Sequence, residues 1–206
     1  MKKHISFLPI IRGVKDLGEH PKPSIRVVPQ WYKDIPAFRN ARTFKVINGN
    51  QNGGVKQCQP FFDALTSGYM LLTHVDIYVE KLPDGSQGIT CAGDVPMVET
   101  RPLDIVDQIP VPDGYGKMVQ AWTLKLGIKT PKGYSVLCCN PLNRFDLPFI
   151  TASGIMDSDD FNGAGGIPFS LKSDFEGIIP RGTPILQLIP FKRENWTSSV
   201  DDDLLN

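Results

Sequence analysis

The sequence predicts a mainly β protein: a barrel or jelly-roll of short antiparallel strands, with one short helix and an extended, proline-rich N-terminal arm. Three observations predict it. From residue 74 onward, short alternating apolar runs recur between Pro/Gly turns at intervals of about eight to twelve residues, which suits a barrel and not a parallel sheet. One segment, 58–73, has apolar residues at helical spacing. In the first fifty residues, Pro9, Pro21, Pro23, Pro29 and Pro36 leave few helical periods between them, and each biases the residue before it to extended geometry.

The elements follow in order. Within the arm, residues 1–54, the aromatic segment Gln30–Pro36 has the length of one short helical turn. Its Trp31 and Tyr32 are of the kind that anchors an irregular segment onto a core or a neighbouring subunit. Residues 48–54 (NGNQNGG) read as a hinge. Phe61, Phe62, Leu65, Tyr69 and Leu72 then mark a helix stopped at Gly68, followed by a strand through 74–79. Pro83–Ser86 is a hairpin turn and 88–92 its returning strand. Residues 94–116, rich in Pro and Asp, read as irregular. Further strands are expected at 122–126, 134–139, 149–153, 167–171 and 185–190, with turns at 130–133 and 180–182. The domain proper spans 55–196, and 197–206 forms an acidic C-terminal tail.

Composition bounds the function. Hydrophobic residues make up 41% and charged residues 21% of the 206, the balance of a globular domain that buries a substantial core. No apolar run approaches the ~20 residues of a membrane span. The N-terminus, MKKHISFLPIIRG, is interrupted by Pro9 and Arg12 and lacks a small-residue cleavage site, so no signal peptide is expected. The four cysteines, Cys58, Cys91, Cys138 and Cys139, show no metal-ligand spacing and read as buried reduced thiols; no metal site is expected.

Net charge is zero, yet residues 1–50 carry ten Lys/Arg against three Asp/Glu, leaving twelve against nineteen in the remainder. A basic arm on an acidic body points to contact with a neighbouring subunit or another acidic surface. The arm lacks the dense basic clusters and interleaved aromatics of single-strand binding, which argues against nucleic acid. His74 falls inside an alternating run and reads as a strand histidine. Neither a nucleophile elbow nor a phosphate-binding glycine fingerprint occurs.

The chemistry-bearing stretch is GIMDSDDFNG at 154–163. Asp157, Asp159 and Asp160 crowd one turn, where carboxylates can bind a cation, polarise a water or be solvated. Asp157 and Asp159 share a side if the backbone is extended. The regular alternation and closing Glu of a calcium loop are absent. Downstream, RGTPILQLIPF at 181–191 is a Gly turn leading into an apolar strand that contains Gln187.

These two segments resemble the third and fourth motifs of the trimeric dUTPase/dCTP deaminase superfamily. Gly154, Ile155, Asp157, Asp159 and Gly163 match the third motif, Gly182 and Gln187 the fourth, and PKGYSVLCCN at 131–140 falls where a turn and strand enter the second. The resemblance covers about 120–191. It implies a dUTPase-like barrel in which Asp157 orients the attacking water. Arg144, Asp159, Phe161 and Gln187 are then the nucleotide-binding candidates, with Mg2+ bridging the phosphates in an enzyme and no cofactor otherwise.

The departures are specific. Asp160 stands where the family has its aromatic, and Phe161 follows one residue late. NPLNRF at 140–145 offers Arg144 but none of the second motif's serines. The Gly-rich fifth motif is replaced by Asp201, Asp202 and Asp203, which would repel a triphosphate. The segments PFFDALTSGYML, WTLKLGIKTPKGYSVL, NRFDLPF and GTPILQLIPFKRENW are also similar to uncharacterised proteins of tailed phages. The expectation is therefore a non-enzymatic structural or assembly protein of a virion. Its partners would be further copies of itself, as a trimer, and other virion proteins, in the particle or the host cytoplasm. Trp31, Tyr32, Arg193 and Trp196 are the subunit-contact candidates. A nucleotide pyrophosphatase or nucleotide-binding protein is the alternative.

Overall fold

Trp122 shows how the alternation becomes a core. It lies fully buried on β7 (Gln120–Thr123). Its ring stacks on Phe169 at 3.7 Å between centroids and meets Phe149 edge-on at 5.0 Å. The indole N–H donates to Thr151 Oγ1 (2.9 Å), and the Thr151 hydroxyl passes the chain on to the Ile185 carbonyl. Thus the one polar atom of the largest core side chain is satisfied. In this computed structural model, residues 3–10, 19–37, 54–101, 108–117, 120–161 and 165–200 are described.

The fold is mainly β, as expected, and every strand pair is antiparallel. The remaining strands, in chain order, are β1 (Ser6–Pro9), β2 (Lys22–Pro23), β3 (Tyr69–Leu72), β4 (Ile77–Lys81), β5 (Gln87–Cys91) and β6 (Val98–Thr100). After β7 come β8 (Leu126–Lys129), β9 (Tyr134–Cys139), β10 (Phe149–Thr151) and β11 (Gly154–Met156). The last three are β12 (Gly166–Leu171), β13 (Gly177–Ile179) and β14 (Pro184–Lys192). They form sheets ordered β11-β9-β14-β3-β2, β10-β12-β7-β6, β13-β4-β5 and β1-β8. Alternate residues of these strands meet in one apolar core that includes Leu71, Val79, Val136, Phe149, Leu171 and Leu188.

Among the described residues, two α-helices accompany the strands: α1 (Gln30–Asp34) and α2 (Gln59–Thr66). Pro60 in the first turn of α2 loses no helical bond there, and Leu65 turns inward. The helix ends as the sequence indicates. Gly68 takes φ +67°, and a Cβ at that position would lie 2.1 Å from the Leu188 carbonyl oxygen. Only glycine serves there, for conformation and for space alike.

Several expectations are corrected. The helix-spaced residues Tyr69 and Leu72 belong to β3, because Gly68 redirects the chain and β14 supplies a pairing partner. The run at 74–79 becomes a strand only from Ile77. His74 instead lies in the preceding turn, 6% exposed, with its ring Nε2 2.9 Å from the Val95 carbonyl oxygen. Burial lowers its pKa. Residues 94–116 are not wholly irregular, since β6 pairs with β7. The run 122–126 is split at residues 124–125 into β7 and β8. Cys138 and Cys139 are both buried although they alternate faces, Cys138 within the main apolar core. Burial, with Cys139 alongside, pushes the Cys138 thiol up to about 11. Cys58, expected buried, is exposed.

Within 1–54, the described residues lie along the chain's own body. β1 pairs with β8 and β2 with β3, and Phe7 sits edge-on to Tyr69 at 5.4 Å. Tyr32, 5% exposed, stacks against Phe61 and Phe62 of α2. The aromatic anchor therefore grips its own core. The hinge at 48–53 lies outside the described residues, as do Asp201–Asp203 of the tail. No helix is long and apolar enough to cross a membrane among the described residues.

Candidate functional site

Register brings the acidic turn to the end of β14. Because Met156 pairs with Val136 on β9, the next residue, Asp157, faces Ser135, whose hydroxyl donates to Asp157 Oδ1 at 2.6 Å. The chain then turns, with the N–H groups of Asp160 and Phe161 both donating to the Asp157 carbonyl. Ser158 points inward, fully buried, and its hydroxyl bonds the Thr130 hydroxyl at 2.8 Å. Asp157 and Asp159, on the other side of this alternation, converge on one guanidinium, that of Arg193.

Arg193 Nη1 lies 3.1 Å from Asp157 Oδ1 and donates to Asp159 Oδ1 at 2.9 Å, while Nη2 donates to Asp159 Oδ2. The same Nη1 reaches the Ser135 hydroxyl at 3.0 Å. A backbone N–H, that of Gly133, completes the set by donating to Asp159 Oδ2 at 2.7 Å. The two carboxylates differ in exposure: the Asp157 side chain is 62% accessible, that of Asp159 only 2%. The bond from Arg193, with the Gly133 N–H second, holds the Asp159 carboxyl well below the usual range, at about 2. A carboxylate with such donors stays ionised across ordinary pH.

The other candidates from the sequence are placed elsewhere. Gln187 is fully buried where β14 passes beneath α2. Its Oε1 accepts from the Leu142 N–H at 2.8 Å, and its Nε2 donates to the Ala64 and Ser67 carbonyls at 2.9 and 2.7 Å. Both donor hydrogens and the acceptor are therefore taken by backbone. Arg144 forms a fork with Asp146 through Nε and Nη2, and Asp146 also accepts from the Trp31 indole N–H at 3.1 Å. Burial pushes the Asp146 carboxyl up, but the Arg144 bond and charge and the Trp31 N–H outweigh it and leave its pKa lowered.

Arg144 and Asp146 line a groove of about 790 Å³ bounded by Val28, Lys172, Ile178 and Arg181. None of Asp157, Asp159 or Phe161 lines it. Phe161 is 53% and Trp196 85% exposed. The chain thus brings Asp157 and Asp159 together with Arg193, and leaves Arg144 and Gln187 in separate surroundings. Arg193 was singled out in the sequence for subunit contact; its carboxylate partners were not legible, nor was the part of Ser135. No local signal marks Ser135, which meets Asp157 only through the register of β11 on β9. Gly163 lies outside the described residues. Among the described residues, no three His, Cys, Asp or Glu side chains gather as metal ligands.

Fold and site describe an antiparallel β protein in which two carboxylates of an acidic turn share the arginine that follows its last strand. No protein-family model matches the chain, and no curated protein does. Solved structures that it is similar to are phage dUTPases. One is a mutant dUTPase of Staphylococcus bacteriophage 80alpha with dUpNHpp, at 11% identity and TM-score 0.41, covering 97% of this chain and 89% of that one. A second mutant of the 80alpha enzyme gives 12% and 0.42, covering 98% and 92%. A mutant dUTPase from phage phi11 of S. aureus gives 12% and 0.35, covering 66% and 84%. At such scores, the chemistry is argued from this chain's own residues.

Proposed function

We propose that this chain is a non-catalytic structural or assembly protein of a phage particle, built on a dUTPase-like barrel and acting as a homo-oligomer, with the trimer as the expected form. The observation that carries the reading is the saturation of the polar residues a nucleotide would need. Arg193 pairs with both Asp157 and Asp159, Asp146 occupies Arg144, and backbone groups take both donor hydrogens of Gln187 and bond its oxygen. To bind a triphosphate, each would first have to break a satisfied contact, at about 1–3 kcal/mol apiece. The phage setting rests on the resemblance of four segments to tailed-phage proteins, and the oligomer on the uneven charge and the exposed Trp196.

The test is pyrophosphate release from a panel of deoxynucleoside triphosphates with Mg2+. No turnover is expected, and Asp157→Asn should behave as wild type; turnover abolished by Asp157→Asn overturns the reading. Mass photometry of the full chain reports the oligomer, for which a monomer at micromolar concentration is the contrary result.

One observation favours a second reading, a nucleotide pyrophosphatase or nucleotide-binding protein. Asp157 remains mostly exposed, and Oδ1 takes both of its contacts, so the carboxylate keeps an accessible side for a water. Arg144, Asp159, Phe161 and Gln187 would then contact the nucleotide. The described residues do not fit a metal held by the protein alone, since both carboxylates face a guanidinium. Mg2+ would enter with the phosphates and lower their charge. Thermal shift with nucleotides exposes binding without turnover.

A further inference from the structure

Arg193 contacts more than its two carboxylates, and it does so at a particular place in the chain. β14 ends at Lys192, and the Arg193 N–H donates to the Gly133 carbonyl at 2.9 Å. From residue 194 to residue 200 the chain has no regular structure and is exposed, with Trp196 and Val200 at 85% and 96%. Arg193 is therefore the root of the tail. Its guanidinium reaches back to a turn thirty-four positions earlier in sequence.

We propose that Arg193 is a latch coupling the course of the tail, 194–200, to the conformation of the turn, 157–161. Two physical facts make the coupling run both ways. The Asp159 side chain is almost wholly enclosed and ionised. Without the guanidinium its charge keeps only backbone donors, Gly133 first among them, and the turn loses the forked bond that ties it to the tail root. Conversely, if the turn opens, Arg193 loses the two-pronged carboxylate contact that fixes its side chain, and the tail root loses its tie to the turn. Ser135 belongs to the same joint, since its hydroxyl touches both Arg193 and Asp157. The latch withstands mild acid, because Asp159 protonates only near pH 2. It is opened instead by whatever pulls on the tail. If the chain self-associates as proposed above, a subunit that takes up Trp196 is such a load; that consequence rests on the oligomer reading, while the latch does not.

Amide hydrogen exchange on the full chain tests it. In Arg193→Gln, exchange at Gly133, Asp160, Phe161 and Arg193 should accelerate together by about 10-fold or more, while β3 and the centre of β14 keep their protection. Arg193→Lys, which retains charge without the fork, should fall between. Asp159→Asn should loosen the tail root from the opposite side, as reciprocal coupling requires, and it carries the test should Arg193→Gln not fold. Protection at 160 and 161 unchanged in both Arg193 variants, or a tail root unaffected by Asp159→Asn, overturns the proposal. Exchange reads the joint within one chain, so that outcome leaves the mass-photometry test of self-association standing.

Discussion

Gln187 and Asp157 belong to the two segments that resemble one enzyme family, yet they have opposite surroundings. Gln187 is sealed beneath α2 and spends its amide on three backbone groups from two other segments. Asp157 stands at the surface, mostly exposed, with contacts that can be lost without opening the core. The difference teaches that residues of two motif-like segments can serve as architecture in one place and as a surface group in another. Gln187 ties α2 and the 140–147 loop to β14. Asp157 and its neighbour Asp159 tie a surface turn to the tail.

Substitutions at the two places sharpen the contrast. Gln187→Leu leaves the Leu142 N–H and the Ala64 and Ser67 carbonyls, all part-buried, without this partner; at about 1–3 kcal/mol for each unpaired group, the loss should be roughly 3 kcal/mol. Urea unfolding should show a large drop in midpoint, and a change within experimental scatter would contradict the staple. Gly68→Ala strikes the same junction by forcing a Cβ against the Leu188 carbonyl at positive φ. A loss of about 2 kcal/mol or more is expected, given strain of about 1–3 kcal/mol from backbone conformation alone, to be read as a fall in melting temperature.

At the surface turn, the expected effect is smaller and depends on pH. Asp159 has a folded pKa of about 2, below the roughly 3.9 of an unfolded aspartate. Its contribution to stability is therefore present above about pH 4 and is lost as pH falls through the folded value. Asp159→Asn should flatten the decline of the urea midpoint between about pH 4 and pH 2, and an unchanged acid limb would contradict the pairing. The smallest effect belongs to Asp157→Asn. The amide oxygen can still accept from Ser135 and the group is largely solvated, so the stability change should stay within about 0.5 kcal/mol. A loss comparable to that of Gln187→Leu would erase the contrast.

Much of the fold was legible because it is written in local chemistry. Tyr134–Cys139 is a short apolar run after a Pro/Gly turn and is a strand with those bounds; Pro83–Ser86 closes a hairpin because Gly85 accepts positive φ; Gly68 ends a helix. The short strands β11 and β13, three residues each, were not legible, since such runs have no period and exist only because β9 and β4 supply partners. The candidate site was legible in part. The shared side of Asp157 and Asp159 follows from extended geometry, whereas the cation they share does not.

By itself, the sequence determined an antiparallel β architecture, its main turns, and an acidic turn next to a strand carrying Gln187. Each of these follows from interactions over a few residues: φ preferences, side-chain alternation, crowded charge. Only the tertiary structure decided that Arg193 closes on Asp157 and Asp159, that Gln187 is buried under α2, and that Tyr32 packs in its own chain. Those contacts join residues far apart in sequence, and strand register, set by the burial of whole faces, selects among many chemically equivalent partners.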